Sequence, residues 1–139
     1  CKQILQEGGF LMSHAARYLS EKDIEYICFS MDSHVELLKE GLSTPLNGSI
    51  KEEMSTNYKL IDKIGQQQPL SKPEYWDLYY VMSERADWVT EGKGLPYKGF
   101  NAANDAGKTS RILKKLGKLF GLTNEEMLEG PPLSAQTSY

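Results

Sequence analysis

The chain is poor in the residues that sheets prefer. It holds 3 valines and 7 isoleucines against 17 leucines, and β-branched side chains are those that pack best on a pleated surface. Cysteine is scarcer still. With only Cys1 and Cys28, one internal bridge is the most the chain could close, which excludes a secreted disulfide framework. No uncharged stretch approaches the roughly 18–20 apolar residues of a membrane span, and Lys2, Gln3, Gln6 and Glu7 break any apolar run at the start. These shortages point to a soluble protein, read as intracellular with its thiols reduced. With 40% hydrophobic and 25% charged residues it has the make-up of a folded domain rather than a disordered one. The opening at Cys1 in place of a methionine is read as the edge of a fragment.

At 139 residues the chain suits one domain. The expectation is an all-α fold of five or six helices in one compact domain over 1–139, with a loose tail over 130–139. Leu11, Met12, Ala15, Ala16 and Leu19 repeat at helical spacing. Ser20 and Asp23 form a capping pattern ahead of a stripe of Ile24, Ile27, Cys28, Met31, Val35 and Leu38, which Gly41 closes. Ser49 and Glu52 open a helix whose apolar face is Ile50, Met54, Tyr58, Ile61 and Ile64, closed by Gly65. Ser71 and Pro73 open a fourth, over 72–91, apolar nearly all round from Tyr75 to Met82 and therefore central. Residues 92–101, with three glycines and Pro96, form the longest loop. A fifth helix follows over about 104–120, then a short one opened by Thr123 and Glu126 and stopped by Gly130 and Pro131. The alternative is an α+β fold with a strand near 25–31, because Tyr26, Ile27, Cys28 and Phe29 all suit a sheet.

Charge is segregated. Lys108, Arg111, Lys114, Lys115 and Lys118 share one side of the fifth helix, and Ile112, Leu113, Leu116, Leu119 and Phe120 share the other. Setting these five cations aside leaves 11 basic against 19 acidic residues, a remainder near −8. Such a face suits an acidic protein, phosphates or an anionic surface; a solvated lysine face is the plain alternative. Tyr97 and Phe100 in the neighbouring loop are candidate exposed anchors. A helix-turn-helix threaded through 116–129 would turn Glu125, Glu126 and Glu129 toward a polyanion, which opposes it.

Other constellations are weaker. Cys1, His14, Cys28 and His34 crowd the first 34 positions without a zinc spacing, and Cys28 and His34 would point about 240° apart on a helix. No metal ligand and no cofactor is expected; the histidines are read as surface or capping residues. Met31-Asp32-Ser33-His34 sets acid, hydroxyl and imidazole side by side. Through Ser30-Met31-Asp32, residues 14–34 locally resemble thioredoxin-like proteins, in which a helix runs into a strand ending in Ser-x-Asp. That resemblance implies a strand here but no activity, since the active-site Cys-x-x-Cys or Thr-x-x-Cys is absent. On a helix, Asp32 and His34 face apart and belong to solvent. Gly107-Lys108-Thr109 ends like a P-loop but lacks the glycines and strand before it. Glu52–Glu53 and Glu125–Glu126 are explained by helix starts.

The function expected is therefore a non-catalytic interaction or regulatory module. It would bind a macromolecule, a protein before a nucleic acid, through Lys108, Arg111, Lys114, Lys115, Lys118, Tyr97 and Phe100. A nucleic-acid-binding domain using the same helix is the first alternative, and an enzyme with a site assembled from distant residues the second.

Overall fold

The computed structural model describes residues 19–41 and 49–130. They form five helices and no strand: α1 (Glu21–Lys39), α2 (Ile50–Gly65), α3 (Lys72–Thr90), α4 (Ala102–Leu119) and α5 (Asn124–Glu129). The fold is all-α. The helix expected from Leu11 lies outside the described residues apart from Leu19, and so does the tail from 131 on.

Local chemistry sets the starts. Ser20, Ser71 and Thr123 each close a capping box with Asp23, Glu74 and Glu126, while Ser49 and Asn101 accept the backbone N–H three residues on. Pro73 sits in the first turn of α3, where its missing donor costs nothing. After α1 the chain turns through Gly41 at φ 74°, and after α4 through Gly121 at 79°. After α2 the left-handed position is Gln67, φ 56°, because Gly65 is still helical.

The strand at 25–31 is overturned. Those residues are the second and third turns of α1, where Tyr26, Ile27, Ser30 and Met31 face inward at helical spacing. The resemblance to thioredoxin-like proteins goes with it, since Ser30-Met31-Asp32 lies mid-helix.

α3 is central, packing on α1 and α4 and more lightly on α2; α2 packs mainly on α1, and α5 caps the end of α4. Tyr75, Leu78, Val81 and Met82 are buried, as a helix apolar around its girth requires. The buried phenol of Tyr75 donates to Leu113 O at 2.9 Å and Tyr79 to Met127 O at 2.5 Å, so α3 holds both α4 and α5 by polar tips as well as apolar bodies.

α2 departs from expectation. Its buried face is Glu53, Asn57, Leu60 and Ile64, while Ile50 and Tyr58 are exposed and Met54 and Ile61 half-buried. The helix is turned by roughly 70° from its most apolar side. The cause is the buried His34 on α1, which Asn57 reaches by a hydrogen bond and Glu53 approaches. Satisfying a buried polar ring outweighs covering Ile50 and Tyr58.

The α1–α3–α4 junction is polar as well. Arg85 and Asp105, both fully buried, pair through Nη1 and Oδ1 at 2.5 Å. Tyr26 Oη donates to Asp105 Oδ1 at 2.5 Å and lies 2.8 Å from its carbonyl oxygen. The loop between α3 and α4 is tied to this pair: Arg85 Nη2 donates to Leu95 O at 2.9 Å, and Tyr97 N–H to Asp105 Oδ2 at 2.7 Å.

Candidate functional site

The five cations of α4 divide into two groups. Lys108 and Lys115 lie on the flank facing α1. The Lys108 ammonium bonds Asp23 Oδ1, and Lys115 Nζ stands 3.7 Å from Oδ2. Burial pushes the Asp23 carboxyl up, but the bonds from Lys108 and the Ser20 backbone outweigh it and hold the group below its ordinary range. Arg111, Lys114 and Lys118 are exposed and make no ion pair among the described residues. At 100° per residue they follow the side of α4 opposite the buried Ile112 and Leu116.

Lys114 also borders a groove between α3, α4 and α5. The groove has a volume of about 220 Å³ and is lined by Tyr79, Ala86, Leu113, Met127 and Leu128 beside Lys114. Leu128 is 81% exposed at its edge.

Tyr97 and Phe100 are half-buried rather than exposed anchors. Tyr97 meets Tyr26 and Phe29 edge-on at 5.2 and 5.1 Å between centroids, and Phe100 stacks on Tyr26 at 6.3 Å. The backbone bonds from Arg85 and Asp105 fold the loop onto α1 and draw the rings in. Only their outer parts reach solvent, at the end of α4 that carries Lys108.

Two other motifs resolve as structural features. Gly107, Lys108 and Thr109 are inside α4, with the Thr109 hydroxyl 2.7 Å from Tyr26 Oη, and form no phosphate cradle. The acids of α5 stand exposed on a helix of six residues, too short to read a groove.

His34 requires a correction. It is fully buried, because it continues the stripe of Ile27, Met31 and Leu38 at i+7, i+3 and i−4. Asp32 is exposed, so acid and imidazole part as helix geometry dictates. The ring stacks on Trp88 at 4.9 Å and 13°. Its Nε2 is hydrogen-bonded to Glu84 Oε1 at 2.9 Å and lies 3.9 Å from Glu53 Oε2; its Nδ1 stands 2.9 Å from the Asn57 amide. Tyr80 Oη donates to the second oxygen of Glu84 at 2.9 Å. Burial, then that bond and the charges of Glu84 and Glu53, push the Tyr80 phenol well above its ordinary range. Glu53 is thus a buried partner of His34 as well as a first-turn acid, and with Glu84 it is a residue that sequence reasoning missed.

Cys28 is half-buried on α1. Burial, and then the charge of Asp32, push its thiol up, which makes it a poor nucleophile.

No helix among the described residues is long and apolar enough to cross a membrane. No family model, curated protein or solved structure matches the chain.

Proposed function

We propose that the domain is a non-catalytic interaction module that binds an acidic protein partner along the outer face of α4. The observation that carries this reading is the exposed row of Arg111, Lys114 and Lys118 on a chain of net charge −3. Asp23 engages Lys108 and Lys115 and leaves those three to act outward. Beside the row, the groove at Leu113, Met127 and Leu128 offers an apolar seat, so charge would set encounter and register while the groove holds one anchor. The outer parts of Tyr97 and Phe100 extend the surface at the other end of α4.

The test is fluorescence anisotropy with labelled peptides that place a leucine or phenylalanine among aspartates and glutamates, alongside random single- and double-stranded nucleic acid. Acidic peptides are expected to bind, and Arg111→Glu/Lys114→Glu/Lys118→Glu is expected to abolish that binding without unfolding the protein, because exposed charges contribute little to stability. Preference for nucleic acid, with affinity falling steeply with salt, would move the reading to the nucleic-acid-binding alternative. Equal peptide binding by the triple variant would leave α4 a solvated face and refute the proposal.

A further inference from the structure

We infer that His34, Glu53 and Glu84 form a binding site for one divalent first-row metal ion of the zinc or manganese type, lying between α1, α2 and α3. The three residues each bring a donor atom from a different helix, and these atoms lie within 4.8 Å of one another. Two donors held about 2.1 Å from one ion stand about 3.0 Å apart at right angles and about 3.4 Å apart in a tetrahedron. The observed separations from His34 Nε2, 2.9 Å to Glu84 and 3.9 Å to Glu53, bracket those values. The three atoms, within 4.8 Å of one another, would have to draw closer to close the set.

The surroundings fit a metal site in three further respects. The imidazole turns Nε2 toward both carboxylates and is fixed from behind by Asn57 on Nδ1 and from its face by Trp88. Tyr80 orients Glu84 through the oxygen that does not face His34, as outer partners of ligating carboxylates do. Glu84 keeps 20% of its side chain exposed, which gives an ion a way in.

Asn57 can hold the imidazole in the tautomer that a metal ligand needs. It is fully buried, and its Oδ1 has no hydrogen-bond partner while its Nδ2 is spent on His34. A buried acceptor left unmatched is costly. With the amide turned over, Oδ1 accepts from Nδ1–H, Nδ2 takes the unmatched position, and the Nε2 lone pair faces two carboxylates. In that orientation the three donor atoms converge on one point between the helices, which suits a metal ion. A dication there would meet the negative charge of both carboxylates.

The full chain, stripped with chelator, is titrated with Zn²⁺ and separately with Mn²⁺ by calorimetry, and the two histidines are followed by long-range ¹H–¹⁵N correlation. The expected result is one ion per chain at micromolar affinity or tighter, with a large shift of His34 Nε2 while Nδ1 keeps its proton. Glu84→Gln is expected to weaken binding at least about tenfold, and Tyr80→Phe, which keeps the core shape, about tenfold. Cys28→Ser is expected to leave the titration unchanged. Should Glu53→Gln fail to fold, Tyr80→Phe and the His34 signal still decide. The inference is overturned if neither ion binds saturably, if Glu84→Gln binds as the parent does, or if His34 carries protons on both nitrogens and ignores the metals.

Discussion

Removal of the Asp105 carboxylate tests the energetic reading of the fold most directly. In Asp105→Ala the fully buried Arg85 guanidinium loses its counter-ion, and the Tyr97 N–H loses its acceptor. Breaking a buried pair on one side costs about 3–5 kcal/mol, because the surviving charge stays desolvated. The orphaned amide adds about 1 kcal/mol unless the loop lifts to reach water. Against a whole stability of about 5–15 kcal/mol the protein stands close to unfolding. With a urea slope of about 1–3 kcal/mol per M, the midpoint should fall by on the order of 2 M.

Trp76 and Trp88, both buried, report the transition by fluorescence. Hydrogen exchange should show the Tyr97 amide losing protection before α3 does, because Asp105 Oδ2 holds it. A second variant separates charge burial from lost packing. Arg85→Met/Asp105→Leu removes both ions, and it also removes the buried Arg85 Nε, which has no partner. The double variant should therefore be more stable than Asp105→Ala. A loss below about 1 kcal/mol in Asp105→Ala, or a double variant no better than the single one, would refute the reasoning.

Two further outcomes follow from the packing and the ionic pairs. Gly117→Ala should destabilise by about 1–2 kcal/mol although alanine is the better helix former, since the new methyl overpacks the α4–α5 contact. That Cβ would meet the Met127 sulfur and stand 2.7 Å from Tyr75 Oη, and a higher melting temperature for the variant would contradict this. Asp23 and Glu74 are both held below their ordinary values of 3.8 and 4.5, against burial, by bonds from Lys108 and Lys63 and from the Ser20 and Ser71 caps. Their contribution is present above those values and lost as pH falls through the depressed ones, so the urea midpoint should drop below pH 4.5. It should drop less steeply in Lys63→Gln/Lys108→Gln, and an unchanged slope would count against the two pairs.

Helix existence was legible because a capping residue preceded a stripe at the starts of α1, α2, α3 and α5, whereas the Asn101 cap of α4 was read as loop. Ser20, Ser71 and Thr123 each name their own third residue, and these patterns need no tertiary information. The basic face of α4 was legible for the same reason, since segregation around one helix is a local property. What local reasoning could not assign was how charge would be divided across elements. Lys108 pairs with Asp23 at a separation of 85 residues, and nothing in the spacing of either residue announces it. The inward pull on Tyr97 and Phe100 was hidden likewise, because it is exerted by Arg85 and Asp105 on the loop backbone rather than by the rings themselves.

The polar centres left one trace in the sequence, and it lies on α3. A helix apolar around its girth is central, and a central helix that continues into Glu84-Arg85 carries two charges into the interior of the protein. Adjacent residues on a helix point about 100° apart, so the two cannot share a partner and must look to different neighbours. Glu84 turns toward α1 and α2 and finds His34, at a separation of 50 residues; Arg85 turns toward α4 and finds Asp105, at a separation of 20. His34 on the stripe of Ile27, Met31 and Leu38 poses the same question from α1. A titratable residue on a stripe that must be buried predicts a partner on a facing helix, and the acids available to His34 were those of α2 and α3. That question narrows the partners to acids on facing helices, and only the packing of α1 against α2 and α3 selects Glu53 and Glu84 among them.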